Sequence, residues 1–212
     1  VWVDTGRIEI VADVTDSARP LDGKIALVTG ASRGVGRGIA LALGGAGATV
    51  YLTARTMNEG SGPVSLPGSL ESTAAEIAEL GGKAIPCKCD HRLDSQVQKV
   101  TSRIDREQGQ LDILVNNAWG GYEPIHRDEF YQGRFWERPT QEWDEVFDVG
   151  VRSCYVASSL AIPLMLKAPE ALIVNISFYS FSHDHGRVVY QAAKLSVDKM
   201  TYDMARDLRG SK

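Results

Sequence analysis

The sequence predicts an α/β fold, a doubly wound parallel sheet with helices on both faces. Three observations carry that expectation. Short β-branched apolar runs alternate with longer amphipathic stretches from Lys24 onward. A glycine-rich turn follows the first run directly. The 212 residues suit one large domain better than two small ones.

The elements follow in order. The apolar runs KIALVT (24–29), ATVYLT (48–53), KAIPCKC (83–89), LDILVN (111–116) and ALIVNI (171–176) read as strands buried on both faces. Helical patterns lie between and after them, at about 34–46, 69–81, 93–108, 141–167 and 188–209. Pro163 marks a kink or the end of the fourth helix. The segment 60–69, rich in Gly, Ser and Pro, reads as a mobile loop. Residues 119–136 concentrate Trp119, Tyr122, Phe130, Tyr131, Phe135 and Trp136. Residues 1–20, acidic at Asp4, Glu9, Asp13 and Asp16, read as an appendage without a signal peptide's cationic start. The folded domain is expected over 21–212.

Composition narrows the functional class. With 23 Lys and Arg against 27 Asp and Glu, the net charge is −4, and 43% of residues are apolar. That balance excludes a disordered or fibrous chain and argues against nucleic acid as a partner. No apolar run approaches the roughly 20 residues of a membrane span. Cys87, Cys89 and Cys154 fit no disulfide framework, which points to a reducing, cytoplasmic compartment.

The chemistry begins at TGASRGVGRGIA (29–40). Gly30 allows the tight turn, Gly34 lets backbone approach a pyrophosphate, and Gly36 allows close helix–strand packing. Ser32, Arg33 and Val35 lie in the same turn, whose helix-start amides face the phosphates of a dinucleotide. This is the Rossmann-type arrangement. The second strand ends on Arg55 where NAD-binding domains usually present an acid. Together with Arg33 it favours the 2′-phosphate of NADP, or else the two are solvated surface arginines. Asp90, just past the third strand, either accepts from the adenine amino group or is an ordinary loop acid.

Tyr190 and Lys194 stand four apart at the start of a helix and project from one face. An ammonium near a phenol favours the phenolate. With TGASRGVG and NNAWG (116–120) in this order, the sequence resembles the short-chain dehydrogenase/reductase family, over residues 22–212. A narrower resemblance, to the family's member 1 branch, rests on GATVYLTAR and FWERPTQEWDEVFDVGVRS (135–153).

The resemblance implies an NADP-dependent oxidoreductase acting on a carbonyl or secondary alcohol. It assigns Tyr190 as general acid/base, Lys194 as its partner and ribose contact, and Ser177 as a hydrogen-bond donor to the substrate oxygen. Asn117 and Ala118 line the cofactor, and the aromatic segment 119–136 either borders the substrate cleft, favouring an apolar or aromatic substrate, or packs against a neighbouring subunit or its own loop. The two last long helices imply a homodimer or homotetramer. Relatives continue past the Tyr190 helix with two further strands, so a domain stopping at DLRGSK is expected to be C-terminally incomplete.

Two positions depart from the family pattern. Phe178 stands where a second serine is usual, leaving Ser177 or Ser180 for that role, and Gly150 replaces an Asn that anchors a relay water. These departures keep open a second reading, a cofactor-binding sensor or scaffold with little catalysis. Gly150→Asn should raise turnover if the site merely lacks an anchor, and lower it if the pocket is built around the glycine. Cys87-x-Cys89-Asp90-His91 is read as buried strand cysteines facing opposite ways, not as a metal site. His183-Asp184-His185 is read first as a solvated loop, then as a polar pocket rim, and last as a metal-binding motif.

Overall fold

The strands fall where the β-branched runs put them: β1 Ile25–Thr29, β2 Thr49–Ala54, β3 Lys83–Lys88, β4 Ile113–Asn116 and β5 Leu172–Asn175. They form one parallel sheet in the order β3-β2-β1-β4-β5. The coordinates are a computed structural model, which describes residues 19–63, 66–120, 133–178 and 188–211. Residues 1–18 of the 1–20 appendage and the His183–His185 motif lie outside these residues.

The helices are α1 Gly34–Gly45, α2 Leu70–Glu79, α3 Asp94–Gln108, α4 Gln141–Phe147, α5 Ser153–Met165 and α6 Val188–Asp207. Ser69 starts α2 through a reciprocal capping box with Ser72. The left-handed Gly109 ends α3. The expected single helix over 141–167 is interrupted: α4 and α5 are joined by a π-helical turn, Asp148–Arg152, that contains Gly150. Pro163 does not break α5, which continues two residues beyond it to Met165.

Every residue of β1 is buried, because the sheet is covered on both faces. Ile25, Leu27 and Tyr51 pack on one side with Val97, Ile104 and Ala157 of α3 and α5. Ala26, Val28, Val50 and Leu52 pack on the other with Ala40 and Ile77 of α1 and α2. Cys87 and Cys89 both join the first of these clusters. They share a face, as residues two apart along a strand must, so the expectation of opposite faces is corrected. Among the described residues no cluster of His, Cys, Asp and Glu could hold a metal ion. No described helix is long and apolar enough to cross a membrane.

Candidate functional site

The strand order reverses between β1 and β4, and the carboxyl ends of these two strands open a crevice where doubly wound folds bind ligands. The glycine-turn residues 30 and 32–36, Arg55, Asp90, Asn117, Ala118, Ser177, Tyr190 and Lys194 line one cleft, of about 350 Å³. They come from five places: the turn after β1, Arg55 after β2, Asp90 after β3, Asn117 and Ala118 after β4, and Ser177 with Tyr190 and Lys194.

The turn is locked to β4 by its neighbours. Thr29 Oγ1 accepts from the backbone N–H groups of Asn117 and Ala118, at 2.9 Å each. The Asn117 amide donates back to the carbonyls of Thr29 and Gly30, at 2.9 and 3.1 Å. Gly30 adopts φ +68°, and a Cβ there would stand 2.9 Å from the Ala118 Cα. At Gly36 a Cβ would stand 2.3 Å from the Asn117 amide nitrogen. Asn117 thus braces the turn as well as lining the cleft.

Gly34 is different. It adopts φ +56°, and a Cβ there would meet nothing within 4 Å. The start of α1 has no side-chain cap, and its first residues, Gly34, Val35 and Gly36, line the cleft. An uncapped helix start opening on empty volume fits a phosphate.

The Arg33 guanidinium reaches across to the segment after β2, donating to Thr56 Oγ1 at 3.1 Å and to the Gly68 carbonyl at 2.9 Å. Its buried Nε has no partner. Arg33 and Arg55 thus put two cations at the β2 end of the cleft. Asp90 is already clasped by Arg92, whose Nε lies 3.0 and 3.1 Å from its two oxygens. That pairing holds its carboxyl below the usual carboxylate range. His91 beside it is buried, with Nε2 2.8 Å from Thr53 Oγ1 and Nδ1 unpaired. Burial lowers its pKa to about 4, so the ring is neutral.

At the other end, Tyr190 and Lys194 occupy one face of α6. The Lys194 Nζ donates to the Ile176 carbonyl at 3.1 Å, and burial holds its pKa below the usual lysine range. Ser177 Oγ donates to the Lys194 carbonyl at 3.2 Å, so β5 and α6 meet here. Phe178 faces the Tyr190 ring with centroids 6.2 Å apart. Ser180 lies outside the described residues.

Two features were not legible in the motifs. Asn116 ties the strands to the helices behind the site, donating to Ser158 Oγ at 2.9 Å and to Asn175 Oδ1 at 2.8 Å. The Trp119 indole stands edge-to-face against Tyr190, with centroids 5.3 Å apart and planes at 72°. Of the aromatic segment's described members only Trp119 lines the cleft. Phe135 and Trp136 pack on each other and stay exposed. The expectation that the whole segment borders the substrate is corrected for these two, and Tyr122, Phe130 and Tyr131 lie outside the described residues.

Comparison with known proteins agrees with this geometry. Residues 24–212 match the family model described as short chain dehydrogenase. The chain is 40% identical to human dehydrogenase/reductase SDR family member 1, over 91% of this chain and 58% of that protein. It is 33% identical to zebrafish hydroxysteroid dehydrogenase-like protein 2, over 90% of this chain and 44% of that protein. The chain thus spans about half the length of the curated relatives it matches. Among solved structures, a metagenomic short-chain oxidoreductase in complex with NADP superimposes with TM-score 0.74 at 29% identity, covering 90% of this chain and 79% of that one. A 7α-hydroxysteroid dehydrogenase complexed with NADH and 7-oxo glycochenodeoxycholic acid gives 0.75 at 27% identity, covering 92% and 69%. The glycine turn at the strand reversal, the Tyr190–Lys194 face across the cleft and a family match over nearly the whole chain converge: this chain belongs to the short chain dehydrogenase family of oxidoreductases.

Proposed function

We propose that the chain is an NADP-dependent oxidoreductase that interconverts a carbonyl and a secondary alcohol. The single observation that carries this reading is the cleft itself. One end offers an uncapped helix start and two arginines, the other a tyrosine and a buried lysine. The neighbour bound to NADP supports the cofactor choice, although another neighbour is bound to NADH. The choice therefore rests on Arg33 and Arg55.

The cofactor, when bound, supplies the hydride that reaches the carbonyl carbon. Tyr190 gives its phenolic proton to the substrate oxygen, leaving an alcohol and a phenolate. Lys194 stabilises that phenolate by its charge and bonds the hydroxyls of the nicotinamide ribose. Ser177 turns its hydroxyl from the Lys194 carbonyl to orient the substrate oxygen. Trp119, Val149 and Phe178 line this end of the cleft and favour an apolar or aromatic substrate. Tyr155 and Tyr202, exposed on α5 and α6, support a homo-oligomer built on these helices.

A panel of aromatic and aliphatic ketones with NADPH, followed by absorbance at the nicotinamide band, tests the proposal. Turnover of any of them, with thermal stabilisation by NADPH, supports it. NADPH stabilisation with no turnover across the panel would instead favour the sensor or scaffold reading.

A further inference from the structure

The position at 150 explains itself once the neighbouring ring is considered. A Cβ on Gly150 would stand 2.5 Å from Cζ3 of Trp119 and 2.8 Å from Cε3. No side chain fits there while the indole keeps its place. The same ring lies over the Lys194 ammonium, whose Nζ is 4.2 Å from the ring centroid. Its edge-to-face contact with Tyr190 completes the arrangement. One indole therefore touches Gly150, Lys194 and Tyr190 together.

We propose that Trp119 is a positioning residue for the reaction: its π face carries the Lys194 charge, and position 150 is bare because that ring needs the space. The missing Asn is then one half of an exchange, in which an aromatic face takes over the placement of the lysine. A π face accepts a cation without consuming an N–H. The ammonium donates to the Ile176 carbonyl, and the π face leaves its remaining donors for the hydroxyls of a ligand. The other groups facing Lys194 are the Tyr190 ring, 5.8 Å from Nζ, the Cys154 thiol of α5 and the Asp198 carboxylate of α6. Neither Cys154 nor Asp198 changes in the variants below. The inference deepens the reading of Tyr190 and Lys194 as a catalytic pair and rests on it for its functional meaning.

The test uses the cofactor-free chain labelled with [13Cε]lysine, titrated by NMR, with the Lys194 signal assigned from Lys194→Arg. Trp119→Phe keeps a π face, and Trp119→Leu, of comparable volume, does not. The Lys194 proton affinity should be about fivefold lower in Trp119→Leu than in Trp119→Phe. Gly150→Ala, which pushes the ring away without altering it, should shift Lys194 in the same direction. That shift should vanish in the Trp119→Leu background. Equal Lys194 titrations in the Leu and Phe variants would overturn the proposal. If Trp119→Leu does not fold, an unmoved Lys194 in Gly150→Ala overturns it instead. The titration needs neither NADPH nor turnover, so its failure is distinct from a failure of the proposed reaction.

Discussion

Asn117 and Gly36 are fitted to each other: the asparagine amide occupies the space that a Cβ at position 36 would need, 2.3 Å away. Because that amide also bonds the Thr29 and Gly30 carbonyls, a side chain at 36 would displace the brace of the whole turn. Gly36→Ala should cost about 2–3 kcal/mol of stability by overpacking and weaken NADPH binding. Chemical denaturation with and without NADPH checks both effects.

Gly150→Asn should destabilise the chain and lower turnover, because the new side chain collides with Trp119. Of the two outcomes open from the sequence, the geometry supports the pocket built around its glycine. Pairing the change with Trp119→Gly should recover part of the lost stability, since the ring that blocks the position is gone. Melting temperatures of the two single variants and the double variant decide the matter.

Replacing Arg55 by Asp should reduce the preference for NADPH over NADH by roughly 10- to 100-fold, the range set by one charge-assisted hydrogen bond. Arg33→Ala should act in the same direction while also loosening the segment it holds through Thr56 and Gly68. Paired fluorescence titrations with the two cofactors measure the ratio. Equal NADPH and NADH affinity in the unaltered chain would remove the cofactor argument.

Burial keeps His91 neutral, with its pKa lowered from 6.5 to about 4. The unfolded chain therefore takes up a proton as pH falls through 6.5, while the folded chain resists until about 4. Stability is full above pH 6.5 and is lost progressively as pH falls from 6.5 to about 4, by about 3 kcal/mol. His91→Gln, which keeps a polar group near Thr53 Oγ1, should flatten this dependence. Denaturant melts at pH 7 and 4.5 of both proteins test it.

Much of this architecture was legible in the sequence because it is written in local pattern. The β-branched runs gave five strands to within a residue or two, and the glycine turn, Arg55, Asp90, Asn117, Tyr190 and Lys194 do share a cleft. What escaped depends on contacts between distant segments. The fit of Trp119 over Gly150 arises from a π-helical turn that periodicity reads as plain helix. Asn116 looks like part of a cofactor motif, yet its amide serves Ser158 and Asn175. An aromatic run has no face in one dimension, so only the fold separates Trp119 in the cleft from the exposed Phe135 and Trp136.

The central claim is that Tyr190 delivers the proton. Its most direct test compares the unaltered chain with Tyr190→Phe, measuring NADPH oxidation on a reducible carbonyl beside NADPH affinity. The substitution keeps the ring that packs against Trp119 and removes only the hydroxyl. Turnover should fall by roughly 10²- to 10⁴-fold with NADPH affinity nearly unchanged. Turnover retained within a few-fold would contradict the account.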